Sequence, residues 1–543
     1  MKLDYFENTG NYVLYKDKRE TDLDLSTLRD LHGFDHSLKM STGSQDVFYT
    51  PDMYCAATFA SAATPRAFNR LEGIVNEIEQ SWLKESGAHI DTPQDKELWP
   101  FQVAGVEYAL RRKNTLIGDQ PGLGKTAQAV CIANEMRAKK VLVICPANIR
   151  LQWAKAIREW STRTDKYIIY PILKSANGVH PRADWTIISY DLARGEVIHE
   201  LLMQHTYDLC VIDEAHYLKT PSAKRTVAIF GNSITQGLSE RCGAVVGLTG
   251  TPLPNRPQEC YTLTRAMCWD AIDWMSEEQF SARYNPREVV EKWDANKNKT
   301  IRYSQEATGR LPELQNRLRS NFMVRRKKRD VMTQLPAVSH EIVYVEETGA
   351  VKRALKAESM LDIDPTDLSN TGDFFGEIAT IRREMGVATA PGVADYVDML
   401  LAGGVDKVLV LAWHHEVMDI LQTKLEKWGV IRIDGKVSAA RKEIFKNRFI
   451  DIPDQRVLIG QLQSIGTGTD GIQLVCSRAV FAECDWVPGN NFDQGVGRLD
   501  RGGQTDPVLA EFLMAQGSFI EKIMKSALEK LVNINGALDK EHF

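Results

Sequence analysis

Nothing in this chain advertises a disulfide frame, a zinc module or a membrane span. Its nine cysteines (55, 131, 145, 210, 242, 260, 268, 476 and 484) are odd in number and scattered, with no CxxC. That usage suits a reducing compartment. His32 and His36 stand four apart without a second ligand pair nearby in the sequence, which is too little for a metal site. No apolar run is long enough to cross a bilayer, and the polar start Met1-Lys-Leu-Asp-Tyr-Phe-Glu7 does not read as a secretory leader. Low-complexity tracts are absent as well. So is charge of one sign: 67 Lys and Arg against 72 Asp and Glu leave a net −5. A nucleic-acid partner would therefore need a local basic surface. What is present is 543 residues, 43% hydrophobic and 26% charged. That is the composition of a soluble globular protein, and it is too long for one core, so two or three domains are expected.

The expected fold class is α/β: two RecA-like parallel-sheet lobes with helical insertions and a small α+β N-terminal module. Residues 1–90 form the module. Tyr12–Tyr15 and Val47–Tyr49 read as strands, with a helix over Leu25–Leu31 between them. A second helix from Arg66 to Trp82 places Phe68, Leu71, Ile74, Val75, Ile78 and Trp82 on one face. Asp91-Thr-Pro-Gln-Asp95 marks the junction. Lobe 1 spans 91–266, where apolar runs alternate with helical patterns, a signature of a parallel sheet covered on both faces. Its strand candidates are Thr115–Ile117, Val141–Cys145, Tyr167–Tyr170, Trp185–Ser189, Leu209–Ile212 and Ala244–Leu248. Residues 267–375 break the alternation and read as helical insertions and an interlobe linker, basic over Arg317–Arg329. Lobe 2, 376–515, resumes with Val408–Ala412, Val430–Ile433, Val457–Ile459, Ala479–Ala482 and Leu509–Leu513. A helix over Ile520–Val532, within 516–543, is expected to close the chain.

The chemistry sits on Asp119-Gln-Pro-Gly-Leu-Gly-Lys-Thr126 and, about ninety residues on, Asp213-Glu-Ala-His216. A Gly-rich turn between a strand and a helix aims backbone N–H groups at a polyphosphate. Asp119, Gln120, Pro121, Gly122, Leu123, Gly124, Lys125 and Thr126 form this loop. Lys125 can reach the β/γ oxygens of ATP, and the Thr126 hydroxyl can reach Mg²⁺. Asp119 stands where the strict pattern has Gly. The second motif ends a buried-strand pattern: Asp213 is suited to hold Mg²⁺ and Glu214 to orient water for attack on the γ-phosphate. An ATP-hydrolysing protein is the expectation.

In this order the motifs resemble superfamily 2 helicases, and among them the Swi/Snf-type double-stranded DNA translocases. Leu98-Trp-Pro-Phe-Gln102 resembles that branch's opening element, which implies adenine recognition by Gln102, with a buried amide as the alternative. Asp119–Thr126 resembles its "DEMGLGKT" loop, and Cys145–Trp153, Ser189-Tyr-Asp191 and Leu248-Thr-Gly-Thr-Pro-Leu-Pro-Asn255 resemble the following elements. Phe322–Val331 with Leu335-Pro336 resembles an element specific to the branch. In lobe 2, Lys407–His415, Arg432-Ile-Asp-Gly435, Trp486-Val-Pro488 and Gln494–Gln504 continue the match. The flavour is that of annealing-helicase (HepA-related) and compact prokaryotic or phage members. The resemblance covers about residues 95–530 and implies that Arg498 and Arg501, expected on one helix, neutralise γ-phosphate charge when the lobes close. It implies that His216, Thr249, Thr251, Gly468 and Gln494 couple the cleft to nucleic acid. It also implies DNA contacts from Asn148, Ser189, Arg325, Lys327 and Lys328. For the basic run, a solvated face, a nuclear-localisation-like cluster and a lobe-to-lobe strut stay open. Two departures stand out: Ser464–Leu474 is longer than the family's loop, and Asp500 replaces a family His.

The implied function is a DNA-dependent ATPase that moves on duplex DNA with little sequence preference and remodels forks or branches, with ATP and Mg²⁺ and no membrane partner. It would work in the cytoplasm of a bacterial or phage-infected cell, or in a eukaryotic nucleus. A strand-separating DNA or RNA helicase, a displacer of DNA-bound proteins and an ATP-gated scaffold are the alternatives.

Overall fold

The computed structural model describes residues 1–20, 27–250, 252, 256–294, 299–306, 309–360, 375–465, 470–485, 495–518, 521, 522 and 524. The N-terminal module is a four-stranded antiparallel sheet in the order β1-β2-β4-β3, from β1 (Lys2–Phe6), β2 (Asn11–Asp17), β3 (Asp35–His36) and β4 (Gln45–Thr50). Two of these strands were expected. The helix expected over Leu25–Leu31 is, in its described part, a single wide π turn at Thr27–Leu31. The helix Pro65–Trp82 forms as its periodicity predicts, capped by the Thr64 hydroxyl on Ala67 N–H. Leu71 is fully buried but Phe68 is exposed, so the buried stripe is narrower than the sequence suggests.

Lobe 1 contains β5 (Asn114–Ile117), β6 (Val141–Cys145), β7 (Ile169–Pro171), β8 (Trp185–Ser189), β9 (Tyr207–Asp213) and β10 (Cys242–Leu248). An antiparallel hairpin follows, β11 (Arg287–Asp294) with β12 (Lys299–Glu306). It corrects the purely helical reading of this region. Its register pairs Val290 with Tyr303 and Trp293 with Thr300, residue types that favour strands. Next, β13 (Met323–Val324) returns to pair in parallel with β5. The lobe 1 sheet is thus seven parallel strands in the order β13-β5-β10-β9-β6-β8-β7. Its two faces are covered by separate apolar clusters, one around Leu142, Ile144 and Ile212, the other around Val141, Val143 and Val211. Alternate residues of single strands feed opposite clusters, as a two-sided parallel sheet requires.

Lobe 2 begins with β14 (Val338–Tyr344) and continues with β15 (Val408–Ala412), β16 (Val430–Ile433), β17 (Val457–Gln461), β18 (Arg478–Phe481) and β19 (Val508–Met514). All six strands are parallel, ordered β14-β19-β18-β15-β17-β16. The stretch read as insertion and linker, 267–375, therefore donates a strand to each sheet. The closing helix expected over Ile520–Val532 lies largely outside the described residues, as does Trp486-Val-Pro488.

Candidate active site

In an open parallel sheet, groups at the carboxyl ends of the strands converge on one edge. Here that edge of lobe 1 carries the loop after β5, Asp213 after β9 and Thr249 after β10. The loop turns through Gly122 (φ 88°) and Gly124 (φ 70°) into the helix Lys125–Glu135. A Cβ on Gly124 would sit 2.3 Å from Gln102 Nε2, so glycine is required by contact as well as by backbone angle. Leu123 packs with Phe101 and Met332, and Pro121 fills the space beside Gly250. The ammonium of Lys125 donates to the Asp119 carbonyl at 2.7 Å. Burial pushes its pKa down, against the pull of Glu214, Asp119 and Asp213.

The loop rests on the basic element 322–328, which runs beside it like an extension of β13. Gly118 N–H donates to Val324 O at 2.7 Å, and Gln120 N–H donates to Arg326 O at 3.1 Å. In return, Lys328 N–H donates to Gln120 Oε1 at 2.8 Å. The Asp119 side chain is committed within the protein. Its carboxylate is fully buried, accepts from Arg326 N–H and Gln128 Nε2, and pairs with the Arg326 guanidinium at 3.2 Å. Gln102, read as an adenine contact, is an intramolecular brace here: Nε2 donates to Leu123 O at 3.0 Å and Oε1 accepts from Trp99 N–H at 2.9 Å.

Asp213 ends β9. Its Oδ2 accepts from Trp153 Nε1 at 2.8 Å, and the Tyr190 hydroxyl donates to its carbonyl at 2.6 Å. Burial, with the neighbouring Glu214 charge second, raises the Asp213 carboxyl to about 7. Glu214 has left-handed backbone (φ 54°), an uncommon angle for a side-chain-bearing residue at a turn next to chemistry. Burial alone would raise its carboxyl, but His216, Lys125 and Arg498 outweigh it and hold the group in the charged form. His216 Nδ1 lies 3.3 Å from Glu214 Oε2 and 3.0 Å from Thr249 Oγ1. A continuous path therefore joins Glu214 to the end of β10.

Lobe 2 faces this edge. Arg498 lies in a short 3-10 turn, Val496–Arg498, and not on one helix with Arg501 as expected. Burial lowers the Arg498 pKa to about 10, and the Glu214 charge opposes that shift. Arg501 donates to Gly497 O and meets Asp470. Its Cγ would lie 3.1 Å from a Cβ on Gly122, so it stands over the loop. Thr126 and Asp213 also border an interlobe cavity of about 510 Å³, lined from lobe 2 by Lys442, Lys446 and Asp470.

Four of the residues read as DNA contacts, Ser189, Arg325, Lys327 and Lys328, are not on an open surface. Ser189 is buried and caps a short helix through Leu192 N–H. Arg325 is buried, its guanidinium donating to Gly118 O and Gly250 O. Lys327 is buried, and Lys328 pairs with Asp500 across the lobes. In this arrangement Arg325 and Lys328 form a strut between loop and lobes. The Asn148 side chain, Thr251, Gly468 and Gln494 lie outside the described residues. Trp153 and Tyr190 were missed as site-shaping residues. Trp153 carried a usable signal, since a buried indole needs a partner for its N–H.

One further group of potential ligands, Asp52, Cys55 and Glu313, converges at the module's seat. Arg283 and Arg317 already neutralise both carboxylates there, so it reads as an ionic joint. Asn316 Nδ2 adds a bond to Tyr54 O at 2.8 Å, and Trp82 lies under the Arg319 guanidinium at 3.3 Å.

Comparison with known proteins bears on this arrangement. The SNF2-related domain matches residues 101–380. The DNA annealing helicase and endonuclease ZRANB3 of Mus musculus is 28% identical over 475 residues, covering 83% of this chain and 42% of its own length. The SWI/SNF-related matrix-associated actin-dependent regulator of chromatin subfamily A-like protein 1 of Xenopus laevis is 30% identical over 458 residues, covering 82% of this chain and 44% of its own length. The chain thus spans less than half the length of these two relatives. Among solved structures, the Sulfolobus solfataricus SWI2/SNF2 ATPase core in complex with dsDNA covers 84% of this chain and 96% of its own, at 17% identity and a TM-score of 0.39. That score is too low to add to the fold described above. No described helix is long and apolar enough to cross a membrane.

Proposed function

The chain belongs to the family of SNF2-related domains, and from that premise we propose that it is an ATP-driven motor on double-stranded DNA that remodels forks or branched molecules. Nucleotide use follows from the family. The finer reading draws on what the relatives' names say of them: DNA annealing, and regulation of chromatin. The observation that supports it most is the opposition of Glu214 on lobe 1 and Arg498 on lobe 2, close enough for each to shift the other's ionisation. A hydrolytic carboxylate and a charge-neutralising arginine on separate lobes make turnover depend on lobe closure.

In this reading Lys125 leaves its carbonyl partners for the β/γ oxygens, and Glu214 holds the attacking water in line. Arg498 and Arg501 offset negative charge on the transferred group. Mg²⁺ supplied with the nucleotide would be held by the Thr126 hydroxyl and the Asp213 carboxylate, where it would offset phosphate charge. The donor set fits, because a carboxyl raised by burial beside a second carboxylate is stabilised by a nearby divalent cation. Trp153 and Tyr190 orient Asp213. His216 and Thr249 are the route by which the state of the cleft reaches the rest of lobe 1. The division into accessory module, two lobes, linker and closing segment is retained with its borders shifted, β13 going to lobe 1 and β14 to lobe 2. The chain would act in the cytoplasm of a bacterial or phage-infected cell, or in the nucleus of a eukaryotic one.

The test is the steady-state ATPase rate against equal concentrations of duplex, single-stranded, forked and junction DNA and of structured RNA. Stimulation by duplex, greatest with forks or junctions, is the expected outcome. Stimulation by single strands or RNA alone would make the protein a strand-separating helicase and end this reading.

A further inference from the structure

Lys328 is the cation of the basic run that stands over the phosphate loop, and its partner comes from the other lobe. Its backbone is tied to the loop through Gln120. Its side chain crosses the loop's tip, since a Cβ on Gly122 would lie 3.4 Å from Lys328 Cε. The residue is 6% exposed. Its ammonium ends on the Asp500 carboxylate at 2.7 Å and on the carbonyl oxygen of the same residue. Asp500 lies between Arg498 and Arg501 in the sequence, at the position where the family it resembles has His. A carboxylate of this chain's own thus reaches from lobe 2 to a lysine beside the loop of lobe 1.

A polyphosphate on Asp119–Thr126 would bring several negative charges beside both members of this pair. It would attract the ammonium and repel the carboxylate, and in a half-buried cleft both effects are several-fold stronger than in water. A lysine meets such a change readily, because its charge sits on a flexible four-carbon stem with three rotatable donors. Phosphate and Asp500 therefore compete for one ammonium. We infer that Lys328 is a polyphosphate-binding residue whose counter-ion is Asp500, so that nucleotide binding exchanges an interlobe ion pair for a phosphate contact. The inference rests on the nucleotide site proposed above. It gives the departure at Asp500 a role: the carboxylate sets how tightly nucleotide is held and ties that affinity to the contact between the lobes.

The test is equilibrium binding of a non-hydrolysable ATP analogue to the full chain, for the wild type, Lys328→Gln, Asp500→Asn and the double variant, with thermal melts of each. Lys328→Gln is expected to weaken binding about 10-fold, the scale of one charge-assisted hydrogen bond. Asp500→Asn is expected to tighten it about 3- to 10-fold by freeing the ammonium, and the double variant to match Lys328→Gln. Lys328→Arg, which keeps the charge, should recover most of the affinity. A pair that only braces the lobes would lower both melting temperatures without raising affinity. Unchanged or weaker binding in Asp500→Asn, or a double variant weaker than Lys328→Gln, overturns the inference. Wild-type ATPase on duplex DNA, run in parallel, judges the motor reading separately: nucleotide binding without hydrolysis would end that reading and leave this one standing.

Discussion

Two acidic clusters in this molecule each meet buried arginine, with opposite electrostatics. At the module's seat, Glu313 is fully buried and accepts from Arg317 at 2.6 Å, Arg283 at 2.9 Å and Tyr284 at 2.9 Å. Asp52 accepts from the same two arginines at 2.6 and 2.8 Å. Burial would raise the Asp52 carboxyl, but Arg317 and Arg283 outweigh it and hold it low, and their own guanidinium pKa values are raised. In the cleft, burial wins instead: the Asp213 carboxyl is driven up and the Arg498 and Arg501 guanidinium groups down. The first cluster is complete in itself. The second is only partly compensated: His216, Lys125 and Arg498 hold Glu214 charged and Arg501 meets Asp470, while Asp213 stays raised. Buried ion pairs of the first kind hold a joint, and those of the second kind mark a place for a ligand.

Breaking the cleft should therefore cost rate without stability, and breaking the joint the reverse. The largest effect is expected from Lys125→Ala and Glu214→Gln, each abolishing turnover in a steady-state assay while the melting temperature stays within a few degrees. Unchanged ATPase in either would remove the active-site assignment. Arg501→Ala should keep nucleotide binding within a few-fold and lower kcat by about 10³-fold. At the joint, Arg317→Ala leaves Asp52 and Glu313 buried with less counter-charge and should cost about 3–5 kcal/mol in denaturant unfolding. It should also expose the module to limited proteolysis; a stable variant with lost ATPase would refute the division of labour. Trp153→Phe keeps the core packing but deletes the donor to Asp213, and should weaken Mg²⁺ activation about 10-fold in a metal titration. The smallest effect is on pH dependence. A carboxyl raised on folding from its ordinary 3.8 to about 7 favours the fold below pH 4, and that contribution is lost as pH rises toward 7. Asp213→Asn should flatten this part of the stability profile, as should saturating Mg²⁺ with nucleotide.

Where a signal was local, the sequence carried it. The strands β6, β8, β15 and β16 form over the residues that their apolar runs mark; β6 and β15, buried at every position, are apolar throughout because both their faces are covered. The hairpin at 287–306 was passed over because its strands mix charged with β-branched residues, so no apolar run sets it apart. The Gly-rich loop, Asp213-Glu214 and the arginine pair were picked out by their spacing as well, and the fold brings them together between the lobes. Side chains whose meaning depends on a distant partner were not. Arg325, Lys327 and Lys328 read as a cationic face, yet the chain returns them to the loop 200 residues earlier, where β13 pairs with β5. Asp119 read as part of the phosphate grip, but Arg326 takes its carboxylate. By itself, then, the sequence determined two α/β lobes and the residues proposed for nucleotide hydrolysis. Only the tertiary structure decided which cations face phosphate and which hold the frame. A charge acquires its role from its burial and its partner, and both are set by contacts between residues far apart in the chain.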